Sequence, residues 1–237
     1  MAPRRYAKKP TQKKNAYSRS AAKSRTMRKA YPVLNARTAG YLGIETKYTD
    51  QVLPKTAVLE TLTTAIHDPS GDSLALIVQG DGPSTRDGRK CTIKSIHIKG
   101  LVGTEDPYSH PIRVIFFLDK QTNGAQATAD TVLETNASPS GNWAAFRNLE
   151  YSSRYTILYD KTFTVDPTTF VNPSGLTQGD NPVKTFSFNK QLNLSVTYKD
   201  SGGHVVSITD NSLHCLAVTD TSNGGYIRYT VRTRFVG

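Results

Sequence analysis

The first 44 residues contain no aspartate or glutamate; the earliest acid in the 237-residue chain is Glu45. A basic segment there has no internal counter-charge, which argues against a packed, self-neutralised element. Cysteine is scarce. Cys91 and Cys215 stand alone in apolar runs, without C-x-x-C or histidine companion spacing, so two reduced, buried thiols are expected rather than a disulfide framework or zinc site. No stretch approaches the ~18–20 apolar residues of a membrane span, and no membrane insertion is expected. The start MAPRRYAKKP is charged but has no apolar h-region, so no secretory signal is expected. The acceptor-type triplets at Asn136 and Asn193 are then chance matches. No helix-period segment exceeds about a dozen residues, and no internal repeat is found.

Catalytic constellations are missing too. His67, His97, His110, His204 and His214 are scattered singly, and His97 and His214, within strand-like runs, read as side chains at a surface or subunit contact. There is no G-x-S-x-G elbow. The stretch from Gly80 to Lys90 superficially resembles a phosphate loop, but no Lys-Ser/Thr follows and a strand comes next. It reads as a turn presenting Arg86, Arg89 and Lys90. Asp119 and Asp160 each read as ending an apolar strand, where a carboxylate accepts hydrogen bonds from turn amides; a calcium site between subunits is the alternative. The expectation is no enzyme, no cofactor and no metal.

What is present is charge in one place. Residues 1–44 hold twelve cations: Arg4, Arg5, Lys8, Lys9, Lys13, Lys14, Arg19, Lys23, Arg25, Arg28, Lys29 and Arg37. With 30 basic and 19 acidic residues overall, the remainder carries 18 against 19, a nearly neutral body. An acid-free arm of this kind, with Tyr6, Tyr17 and Tyr31 interleaved, is expected to be disordered in isolation and to bind a nucleic acid by releasing counterions, with a salt-sensitive, sequence-blind affinity. The clusters Arg4-Arg5, Lys8-Lys9 and Lys13-Lys14 also resemble nuclear-import signals.

After Glu45 the texture changes to short runs rich in Thr, Val, Ile, Tyr and Phe, broken by Gly, Pro, Asn and Asp, as in an all-β sandwich or barrel. The runs are 45–53, 58–64, 74–79, 91–102, 112–119, 154–165, 183–198, 204–208, 212–219 and 226–236. In the long second strand Ile93 is expected on one face and Ile96 and Ile98 on the other, and IRVIFFLD is expected to be buried on both faces. Intervals 121–148 and 166–182 read as long functional or interface loops. Arg228, Arg232 and Arg234 alternate with Ile227, Tyr229, Val231 and Phe235, so the arginines share a face, which is a second candidate for nucleic-acid contact.

GDGPSTRDGRKCTIKSIHIKG (80–100), RVIFFLDKQTNGA (113–125), RYTILYDKTFTV (154–165), NSLHCLAVTD (211–220) and YIRYTVRTRF (226–235), in this order, resemble the strand-and-turn series of capsid proteins from circular Rep-encoding single-stranded DNA viruses. Cys/His zinc-finger spacing is absent, unlike geminivirus coat proteins, and the arm mixes Lys with Arg where circoviruses use nearly pure arginine. The resemblance implies an eight-stranded antiparallel jelly roll at 44–237 behind a basic arm at 1–43. It further implies self-assembly into a sixty-copy (T=1) icosahedral shell, and an arm lying on a single-stranded DNA genome. Partners would be further copies of the chain, the genome, nuclear import receptors and a host-cell receptor, with the protein in virions and in the host nucleus during assembly. Two alternatives remain: a small RNA or satellite virus coat protein, and a nuclear nucleic-acid-binding β protein that forms no shell. A carbohydrate-binding sandwich explains the body but not the arm.

Overall fold

Among the described residues, alternating and doubly apolar runs fold into ten strands: β1 (Lys47–Ala57), β2 (Lys90–Gly103), β3 (His110–Asp119), β4 (Tyr155–Val165), β5 (Thr168–Val171), β6 (Thr177–Asp180), β7 (Val183–Tyr198), β8 (Ile208–Asp210), β9 (Ser212–Val218) and β10 (Tyr226–Val236). The computed structural model describes residues 45–62, 65–104, 108–135, 139–166, 168–171, 177–180, 182–221 and 225–237. The expected arm disorder, and every arm cation from Arg4 to Arg37, lie outside the described residues.

The strands form a large antiparallel sheet, β1-β10-β2-β7-β8, and a small one, β4-β3-β9. The small sheet gains a fourth member from residues 65–67. Ile66 bridges Leu216, while Ala217 N donates to Ala65 O at 2.8 Å and His67 N to Cys215 O at 2.8 Å. Following the chain, the eight main segments alternate large, small, large, small, small, large, small, large, which is the path of a jelly roll.

Between the sheets lies one core, with Ile96 and Ile98 of β2, Val114 and Phe116 of β3, Phe186 of β7, Cys215 of β9, and Tyr229 and Val231 of β10. Phe116 sits at its centre, 5.6 Å from Tyr229 edge-on and 6.1 Å from Phe188 in a stack. Ile93 joins this core beside Ile96 and Ile98, against the expectation of opposite faces. A bulge is the reason: Arg234 pairs with Ser95 but Phe235 with Ile93, so Lys94 is an extra residue and the alternation resets.

The doubly buried reading of IRVIFFLD is realised. Ile112, Val114 and Phe116 face the main core, whereas Ile115 and Phe117 face a second cluster with Leu62, Ala65, Ala129, Val132 and Leu133. The interval 121–148 is therefore not mere loop. It folds back over the small sheet as a helical turn, Ala129–Val132, and a 3-10 segment, Pro139–Ala144. The other long interval, 166–182, contains the β5–β6 hairpin. The apolar run 74–79 forms no ladder strand, yet Leu74, Ala75 and Ile77 are buried, with Leu74 N bonded to Leu213 O. Residues 204–208 make a 3-10 turn rather than a strand, leading into the short β8.

Candidate nucleic-acid interface

The two outer faces of the sandwich differ. The small sheet is covered by its own loops; the large sheet is open, and its outward residues form aligned rows. From β1 through β10 and β2 to β7 these read Tyr48, Arg234, Ser95, Gln191; then Asp50, Arg232, His97, Asn189; then Val52, Thr230, Lys99, Ser187. Arg228 follows, beside Leu101 and Thr185. Along β10 every outward residue from Arg228 to Arg234 is exposed and every inward one from Ile227 to Phe235 is buried, so the expected division of faces holds.

Arg232 is engaged by Asp50, its Nε donating to Oδ1 at 2.7 Å and Nη2 to Oδ2 at 2.6 Å. The guanidinium lies 4.9 Å from the Tyr48 ring centre. The Arg232 hydrogen bonds hold the Asp50 carboxyl below the usual carboxylate range. Lys99, Arg228 and Arg234 have no side-chain ion pair among the described residues. Asp50, His97, Lys99, Thr230, Arg232 and Arg234 line a shallow depression of about 310 Å³. Arg89 and Lys90 are exposed at the start of β2, beyond the Arg234–Ser95 pair.

Arg86 is a correction. It is fully buried and does not present charge to solvent. Nε donates to Ile77 O at 3.1 Å, Nη2 to Asp200 O at 2.6 Å and to Gly202 O at 2.9 Å, and Nη1 to Gly88 O. Its charge is spent on joining two loops.

His214 is another correction, buried rather than at a surface. Its Nδ1 is 2.6 Å from Asp68 Oδ2 and its Nε2 2.6 Å from Ser212 Oγ. Cys215 N donates to Asp68 Oδ1 at 2.6 Å, and Thr122 Oγ1 donates to Ser212 Oγ at 2.8 Å. The order Ser, His, Asp is that of a nucleophilic relay, but Ser212, His214, Asp68 and Thr122 are all buried, so no substrate reaches Ser212. The network ties β9 to two loops. His97, by contrast, is half-buried on the open face, within 3.5 Å of Ser187 Oγ.

The two candidate calcium carboxylates are each claimed by an arginine. Asp119 accepts from Arg154 Nε at 2.8 Å and Nη2 at 2.6 Å, and from the turn amide of Gln121 at 2.9 Å. Asp160 lies within β4 rather than at its end, and accepts from Arg113 at 2.8 and 2.7 Å. Among the described residues no three His, Cys, Asp or Glu side chains are grouped to hold a metal. Both cysteines are free and buried. A second depression, about 640 Å³, lies over the small sheet between Leu62 and Ile66 on one side and Ala127 and Ala129 on the other.

Sequence reasoning missed Lys99 and Asp50. Lys99 was within reach, because KSIHIKG alternates and places Lys99 on the face of His97; the cross-strand partner of Arg232 carries no local signal.

No family model matches the chain, and no curated protein matches it. Among solved structures, a crystal structure of the 60-mer BFDV capsid protein matches at 9% identity over 81% of this chain and 93% of that one, with a TM-score of 0.30. That overlap is too loose to carry a function across.

Proposed function

We propose that this chain is a viral capsid protein, non-enzymatic, that assembles into a sixty-copy icosahedral shell around a single-stranded DNA genome held by its N-terminal arm. The observation that carries the reading is the junction of two opposite chemistries in one chain: twelve cations without an acid in residues 1–44, followed by a nearly neutral jelly roll. A body of balanced charge associates with its own copies without long-range repulsion, while the arm requires a polyanion. Sixty such arms would bring on the order of 720 positive charges to one genome, enough to neutralise a sizeable part of a small one.

The described surface supports self-association. Phe146 and Leu149 are 81% and 75% exposed, yet their backbone is fixed by Phe146 O accepting from Glu134 N at 2.9 Å and by Asn148 N donating to Val132 O at 3.0 Å. Rigid, exposed apolar side chains of this size suit burial against a neighbour. The arm clusters Arg4-Arg5, Lys8-Lys9 and Lys13-Lys14 suit recognition by import receptors, consistent with assembly in a nucleus.

The test is negative-stain microscopy of the purified full chain, with nuclease treatment of extracted cargo. Closed shells of about sixty 26.0 kDa copies holding DNase-sensitive cargo are expected. RNase-sensitive cargo would move the protein to the RNA-virus coat class. A nucleic-acid-binding monomer that forms no particle would leave only the nuclear binding protein.

A further inference from the structure

We infer that the open face of the large sheet is a second binding site, a track of phosphate contacts for single-stranded nucleic acid along β10, separate from the arm. The inference rests on the capsid reading only for the identity of the polyanion. Three observations lead to it.

The first is spacing. Arg228, Thr230, Arg232 and Arg234 are successive outward residues of one strand, so their Cα atoms repeat at about 6.7 Å. That repeat is close to the one between phosphates of an extended single strand. Lys99 and His97 flank Thr230 and Arg232 on the neighbouring strand, doubling the row.

The second is charge that the fold does not use. Lys99, Arg228 and Arg234 have no side-chain ion pair among the described residues, and Asp50 neutralises Arg232 alone. The contrast with Arg86, Arg113 and Arg154 is direct, since those three are bound to carbonyls or carboxylates of their own chain. Arginines that stabilise this fold are engaged; two of the three on this face are not.

The third is shape. Duplex grooves are read by elements that project into them, a helix or a ribbon, whereas this face is a sheet with a depression of about 310 Å³. Around the cations stand hydroxyls and amides, Thr230, Ser187, Asn189 and Gln191, and the half-exposed ring of Tyr48. Cations along a backbone path with an aromatic platform at its side are the equipment of sequence-tolerant single-strand binding.

The experiment compares full-length chains binding a homopolymeric single-stranded DNA oligonucleotide across a salt series. One carries Lys99→Ser, Arg228→Ser and Arg234→Ser; a charge-matched control carries Lys120→Ser, Lys161→Ser and Lys199→Ser. Each phosphate contact on a single strand contributes about 0.7 to the slope of log K against log salt, so the track variant should lose about 2 from that slope. The control should lose none, and a variant with Arg228→Lys and Arg234→Lys should keep the wild-type slope. An unchanged slope in the track variant, or an equal loss in the control, overturns the inference. So does a loss seen with a sulfated polysaccharide but not with DNA. Particle formation is scored separately: particles with an unchanged slope sink the track alone, and a reduced slope without particles sinks the capsid reading alone. Photocrosslinking of thiothymidine-substituted DNA to the unmodified chain gives an answer even where the variant fails to fold. Adducts in 48–52, 97–101 or 226–236 support the track, and adducts confined to residues 1–44 overturn it.

Discussion

The guanidinium of Arg86 lies 3.9 Å from the centre of the Tyr198 ring, and its four carbonyl acceptors, on Ile77, Gly88, Asp200 and Gly202, come from chain segments more than a hundred residues apart. A cation stacked on an aromatic face and hydrogen-bonded to four carbonyls makes one rigid unit of the turn before β2 and the loop after β7. Arg86→Met would leave buried carbonyls without donors, and a loss of about 3–5 kcal/mol is expected in urea unfolding. Arg86→Lys should lose most of this as well, because an ammonium cannot reproduce the planar fork. Arg89→Ser, at an exposed position three residues away, should change stability by less than about 0.5 kcal/mol.

Asp50 restrains the charge of the open face. Asp50→Asn frees Arg232 from its bidentate partner and should steepen the salt dependence of single-stranded DNA binding by up to about 0.7 in slope. Stability at neutral pH should barely move, as the pair is largely exposed. The depressed Asp50 pKa means that the pair's small contribution is present above the ordinary carboxylate range and lost as pH falls through the folded value. Weaker binding by Asp50→Asn would show that the carboxylate orders Arg232 for its ligand.

Alkaline pH should weaken the sandwich through its buried thiols and phenols. Burial pushes the Cys91 thiol up from 9.0 to about 11, and burial raises Tyr198, Tyr229 and Cys215 in the same core. Groups whose folded values are raised contribute fully below their unfolded values and lose that contribution as pH climbs toward the folded ones. The urea midpoint should stay level from pH 7 to 8 and decline between about pH 9 and 11. Thiol titration of the native protein at about pH 8 should be slow at both cysteines and become fast in denaturant.

Phe146 and Leu149 allow assembly and folding to be tested apart. With both side chains mostly in solvent, Phe146→Ser with Leu149→Ser should shift monomer stability by less than about 0.5 kcal/mol. Particle yield by microscopy should fall sharply. Normal particles from the double variant would place the subunit contacts elsewhere.

Removing the arm tests the division of labour directly. A chain beginning at Gly43 keeps every strand and both core clusters of the described residues, and its thermal unfolding should match that of the full chain. Its affinity for single-stranded DNA should drop, and the salt slope should flatten to the few contacts the sheet supplies. An unfolded product would make the arm structural.

Much of this was legible in the residues because it is local. The alternation in YIRYTVRTRF places the arginines outward, and the nearly all-apolar run IRVIFFLD implies a strand covered on both sides. What was hidden depends on partners distant in sequence. Arg86 sits in a turn that looks exposed, and carbonyls 114 and 116 residues away bury it. His214 alternates like a surface histidine until Asp68, 146 residues earlier, is brought beside it. Lys94 gives no warning of a bulge, although the left-handed Asn193 across from it marks the irregularity. Interval 121–148 reads as loop because it is polar and rich in Gly, Pro and Ser. The sparser Ala127, Ala129, Val132 and Leu133 close the second core.

The position of β1 has a mechanical consequence. Among the described residues it is the edge strand of the large sheet, with β10 as its one ladder neighbour and Lys47–Phe235 as the first pair. The described chain enters the large sheet at that pair. Lys47 is buried there, its Nζ 2.5 Å from Asp87, so this ion pair fastens the start of the strand to the turn before β2. Should it break, fraying is expected to start at this end of the β1–β10 ladder, the end farthest from Ala57.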